Sequence, residues 1–134
     1  MQDPAQESKP EVLVIEDDDQ TVNWMRFMLE KDGWAVRHAA SGKAAQALIG
    51  KTPPPWLITL DIGLPDISGP ELILAIKDAP GWERVPIVMV TATPKDENVN
   101  WAIKKGAKAY MVKPFKPEEL QQTVRRYARK PAAS

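Results

Sequence analysis

The 134-residue sequence predicts an α/β protein built on a doubly wound, five-stranded parallel sheet. Two observations carry this. Short apolar runs alternate five times with segments of helical period, and strand–helix units in series give parallel strands with helices on both faces. The runs VLVI (12–15), WLITL (56–60) and PIVMV (86–90) are nearly continuous in apolar residues, as strands buried on both faces are.

The elements follow in order. VLVI is the first strand, and EDDD comes directly behind it at 16–19. Asp18 or Asp19 caps a first helix that runs to Lys31, and Gly33 stops it. WAVRHA (34–39) is the second strand; Ser41 caps a second helix that ends near Gly50, before TPPP. WLITL is the third strand, with a helix over 70–78 behind it. PIVMV is the fourth, with a helix over 94–105 stopped by Gly106. AYMV (109–112) is the fifth, with a helix from Pro117 to about Arg129. Pro70, Pro94 and Pro117 each stand near the first turn of their helix, where a missing N–H costs nothing. Residues 1–10 and 131–134 are polar or small, and are expected as flexible ends of a single domain over 11–130.

Composition narrows the function. Lysine plus arginine equals aspartate plus glutamate at 18 each, so no net field points to nucleic acid or to an anionic membrane. The absence of cysteine removes disulfides, thiolate chemistry and cysteine-ligated metals. No segment approaches the roughly 18 consecutive apolar residues of a membrane span, and the polar start carries no apolar leader. A cytoplasmic protein is expected.

In parallel sheets of this kind, ligands bind beyond the carboxyl ends of the strands. Glu16, Asp17 and Asp18 follow the first strand, Asp61 the third, Thr91 the fourth and Lys113 the fifth. If those strands are neighbours, the residues meet in one cleft. Crowded carboxylates repel one another and anticipate a cation. Mg2+ takes oxygen ligands in near-octahedral geometry at about 2.0–2.1 Å and keeps several waters. Asp17 and Asp61 suit it as direct ligands, Glu16 through a water, and Gly63 through its carbonyl. One Asp61 oxygen then remains to attack phosphorus and form an acyl phosphate. Lys113 would offset the charge on the phosphoryl oxygens, and the Thr91 hydroxyl would donate to one of them.

The motifs VIEDD, LITLDIGLPDISG, PIVMVTA and YMVKPF, in this order, resemble the receiver domain of two-component response regulators over about residues 11–130. The resemblance implies a flavodoxin-like (βα)5 fold with strand order 2-1-3-4-5, the order that the general rule for such sheets illustrates with the chemotaxis receiver. It implies Glu16 and Asp17 as the acidic pair, Asp61 as phospho-acceptor, Thr91 and Tyr110 as switch residues, Lys113 as the phosphoryl-stabilising lysine, and a cis peptide before Pro114. The implied donor is a phosphohistidine on a sensor histidine kinase or histidine phosphotransfer protein. The implied output is a protein partner or a second copy bound by the surface of the fourth helix, fifth strand and fifth helix, with no direct contact to nucleic acid. Such a protein is a switch, with self-phosphorylating and self-dephosphorylating chemistry at Asp61 only. Its output lies in a partner or in chain beyond these residues.

Other features are local to this sequence. Val99, Ala102 and Ile103 share one face of the fourth helix, and Trp101 lies about 200° from Val99, so Trp101 is expected to be exposed in a partner contact. The first helix carries Trp24, Phe27 and Met28 beside Val22, Met25 and Leu29, more apolar residues than one face needs. Gly63 and Thr93, each two residues after Asp61 and Thr91, are poorly equipped to orient an attacking water, so a long-lived phosphoryl state is expected. Two alternatives are weighed: a Mg2+-dependent phosphatase of the haloacid-dehalogenase kind, which expects an acid where Gly63 stands, and a receiver that binds partners without phosphorylation.

Overall fold

The computed structural model describes residues 10–92 and 97–131, with the side chains of Glu97 and Asn98 excepted. Thr93 and the Pro94 start of the fourth helix lie outside the described residues, as do residues 1–9 and 132–134. The elements are β1 (Glu11–Ile15), α1 (Asp19–Lys31), β2 (Ala35–Ala39), α2 (Gly42–Leu48), β3 (Leu57–Asp61), α3 (Gly69–Asp78), β4 (Ile87–Thr91), α4 (Glu97–Lys104), β5 (Ala109–Val112) and α5 (Pro117–Tyr127). All strand pairs are parallel, in the order β2-β1-β3-β4-β5.

Side chains alternate across the strands and so separate two cores. Val12, Val14, Leu57, Val88 and Val90 pack against Val22, Met25 and Leu29 of α1 and Leu120 and Val124 of α5. Leu13, Ile15, Ile58, Leu60, Ile87 and Met89 face the other way, toward Ala45 of α2, Leu72, Ile73 and Ile76 of α3, and Val99 and Ala102 of α4. β3 and β4 are buried throughout, whereas the edge strands β2 and β5 are only partly covered.

The helix starts are fixed by short polar side chains. Asp18 accepts from the Thr21 N–H at 3.1 Å and from the Thr21 hydroxyl. Ser41 accepts from the Ala44 N–H at 3.0 Å, and Ser68 from that of Glu71 at 3.2 Å. Gly33 takes φ +94°, the left-handed conformation that ends α1. α5 ends at Tyr127 rather than Arg129, and the Arg129 N–H crosses to the Trp56 carbonyl at 3.0 Å. In the α3–β4 loop, Trp82 is 1% exposed and its indole donates to the Thr52 carbonyl at 3.1 Å.

α4 corrects the expected helical faces. Val99 and Ala102 are buried, but Ile103 is 40% exposed and Trp101 is half-buried rather than exposed. The inward direction runs between Val99 and Ala102, so Ile103 points about 70° away from it. The Trp101 ring lies beneath the Lys105 ammonium, 5.4 Å from the ring centroid. Among the described residues no helix is long and apolar enough to cross a membrane.

Candidate functional site

The order β1-β3-β4-β5 brings the polar strand ends together. Glu16 leaves β1 and is tied to β2 twice: its N–H donates to the Ala39 carbonyl at 3.1 Å, and its carbonyl accepts from His38 Nε2 at 2.8 Å. Its side chain is buried and turns toward β5, where Glu16 Oε1 accepts from Lys113 Nζ at 2.7 Å. Glu16 Oε2 accepts from the Asp18 N–H at 3.2 Å, so the acid is fixed at both oxygens.

Asp61 ends β3 and is 7% exposed. Its Oδ1 accepts from the Gly63 N–H at 3.0 Å, and its Oδ2 lies 3.6 Å from Lys113 Nζ. Carboxylate oxygens of Glu16, Asp17 and Asp61 all lie within 4.8 Å of one another, with Asp17 exposed at the mouth. Thr91 ends β4 and is buried. Its carbonyl accepts from the Lys113 N–H at 2.7 Å, and the Lys113–Pro114 peptide that follows is cis. Tyr110 lies on β5 with 46% of its surface exposed, and Trp101 lies on α4.

The electrostatics follow from crowding. Burial pushes the Glu16 carboxyl up to about 7, and the nearby Asp61 pushes the same way, against the pull of the Lys113 ammonium and the Asp18 N–H. Burial pulls Lys113 down, but the Glu16 hydrogen bond and the charges of Asp61 and Glu16 outweigh it and hold the ammonium above its ordinary value. Three carboxylates facing one lysine leave an excess of negative charge. The donors are all hard oxygens, so the set fits a small divalent cation of the Mg2+ class.

Two features escaped the sequence. His38 on β2 fixes the backbone of Glu16. Beside Lys113 a groove of about 510 Å3 opens, lined by Asp18, Gln20, Thr21, Trp24, Pro114 and Phe115. The Trp24 and Phe115 rings stand 5.2 Å apart in it. The surplus of apolar residues on α1 was the available signal: Trp24 is half-buried and Phe27 is 61% exposed.

The fold and the strand-end cleft place the molecule in the flavodoxin-like class. Residues 12–125 match the model of the response regulator receiver domain, and the chain belongs to that family. A 14.6 kDa protein from the sodA1 3' region of Leptolyngbya boryana is 34% identical over 117 residues, 87% of this chain and 88% of that one. The KDP operon transcriptional regulatory protein KdpE of Escherichia coli is 35% identical over 123 residues, 92% of this chain but 53% of KdpE. The chain thus spans about half the length of the transcriptional regulators it matches. Among solved structures, the chemotaxis protein CheY4 of Vibrio cholerae superposes with a TM-score of 0.82 at 28% identity, over 90% of this chain and 99% of that one. The receiver domain of the sensor histidine kinase PA1611 of Pseudomonas aeruginosa, which carries a magnesium ion in its active site cleft, gives 0.81 at 28% identity, over 90% and 98%.

Proposed function

We propose that the protein is a phospho-accepting signalling switch, with Asp61 taking a phosphoryl group from a phosphohistidine on a sensor histidine kinase or histidine phosphotransfer protein. The observation that carries this reading is the setting of Asp61: a nearly buried carboxylate with one oxygen held by the Gly63 N–H and the other beside the Lys113 ammonium. An Asp61 oxygen attacks phosphorus, the phosphorus–nitrogen bond of the donor breaks, and its electron pair stays on the imidazole nitrogen. Lys113 offsets the charge carried by the phosphoryl oxygens, and the Thr91 hydroxyl donates to one of them. Asp17 and Asp61 would hold Mg2+ directly, with Glu16 through a water and the Gly63 carbonyl completing the protein's share. Bound there, Mg2+ supplies further positive charge against the phosphoryl group.

The new charge at Asp61 biases Thr91 and Tyr110 and, through them, the surface of α4, β5 and α5 toward a protein partner or a second copy. Incubation with a small phosphodonor and Mg2+, followed by intact mass measurement, tests the reading. One added phosphoryl group is expected, and none in Asp61→Asn. Uptake that persists in Asp61→Asn, or turnover of many donor molecules without a retained group, overturns it.

A further inference from the structure

We propose that Asp66 is a positioning residue for the acidic site, acting through the loop between β3 and α3. The inference rests on the functional reading above, which gives the Gly63 carbonyl to Mg2+. Gly63 is exposed and has no side chain with which to hold its own place, so its flanks must fix it. On one side its N–H is bound to Asp61 Oδ1. On the other, Leu64 is buried and Asp66 reaches away from the site to α2. Asp66 Oδ1 accepts from the Gly42 N–H and Oδ2 from the Lys43 N–H, each at 3.0 Å.

The same junction is closed sterically. Ile67 packs so tightly on Gly42 that a Cβ there would lie 2.6 Å from Ile67 Cβ and 2.9 Å from Ile67 Cγ1. Polar and van der Waals contacts therefore seat the loop on α2 at adjacent residues. Ser41 caps α2 from within its own segment through the Ala44 N–H, and Asp66 takes the two preceding N–H groups from a different loop. What Asp66 adds is the tie from α2 to the segment that carries Gly63.

Calorimetric titration of Mg2+ into the purified chain tests this, with circular dichroism and thermal melts as folding controls. Asp66→Ala is expected to weaken Mg2+ binding by about tenfold, at the low end of what residues that orient metal ligands contribute. Asp66→Asn keeps one good acceptor and should fall between Asp66→Ala and the parent. Gly42→Ala should weaken binding too, because its Cβ would clash with Ile67 and lie 3.1 Å from Asp66 Oδ1, so the junction must shift although the carboxylate is retained. Ser41→Ala removes the cap of α2 itself and should lower the Tm with Mg2+ affinity unchanged. If Asp66→Ala fails to fold, Asp66→Asn and Gly42→Ala carry the comparison. Mg2+ affinity within twofold of the parent in the folded Asp66 and Gly42 variants, or an equal loss in Ser41→Ala, overturns the inference and leaves the functional reading intact. A parent chain that binds no Mg2+ and takes up no phosphoryl group overturns that reading, and the inference with it.

Discussion

Thr59 stands two residues before Asp61, on the same face of β3, with 1% of its surface exposed. Its hydroxyl has no hydrogen-bond partner among the described residues, and an unsatisfied buried hydroxyl is destabilising. Thr59→Val replaces it with a methyl of similar size. The variant is expected to be more stable by about 1 kcal/mol, read as a higher urea midpoint with an unchanged slope. Gly63 leads to a second expectation. An added Cβ there would lie 3.6 Å from Asp61 Oδ1, so the position faces the Asp61 carboxylate but offers no group to orient water. On the proposed function, a phosphoryl group taken up at Asp61 should therefore outlast minutes at fixed Mg2+, followed as loss of labelled phosphate; decay within seconds would refute this. At this scale Glu16, Asp17, Asp61, Thr91 and Lys113 were legible, because each stands at the end of an apolar run. His38 and Asp66 were not, because both act on backbone groups brought near by the chain's path rather than by sequence spacing.

Between elements, α1 and α5 are joined by side chains as well as by their shared core. Asp32, just past α1, accepts two hydrogen bonds from Arg125 of α5, at 2.8 Å from Nε and 2.6 Å from Nη2. The guanidinium holds the Asp32 carboxyl below its ordinary value. A carboxyl depressed in the folded state contributes stability that is present above its unfolded pKa and is lost as pH falls through the folded one. Asp32→Asn is therefore expected to lower the Tm by about 2 °C at pH 7, a small effect because Arg125 is largely exposed, and the difference should shrink as pH falls below the ordinary carboxylate range. Element ends followed local chemistry closely. Ser41, Gly33 and Pro117 mark real boundaries, since caps and left-handed glycines act within one turn. The orientation of α4 did not follow in this way, because among the described residues Val99 and Ala102 set its buried face and the position of Ile103 depends on how the helix sits on the sheet.

Across the whole molecule, the doubly wound sheet was readable because buried parallel strands give continuous apolar runs. The strand order came from the motif resemblance rather than from the runs themselves, which carry no information about which neighbours pair. That order makes β3 the centre and puts Asp61 where three other strand ends can reach it. It also sorts the tryptophans. Trp34 and Trp56 pair edge to face at the opposite end of the sheet, 5.9 Å between centroids, and Trp82 is sealed into the loop before β4. Trp24 alone lines the groove beside Lys113, with its ring against Phe115. The molecule thus carries a built-in optical probe at the end that holds the acidic cluster. Mg2+ titration should change the intrinsic fluorescence, Trp24→Phe should erase the change, and Trp56→Phe should preserve it. A full response in Trp24→Phe would mean that the effect of the cation travels beyond the groove to another indole, Trp101 on α4 included.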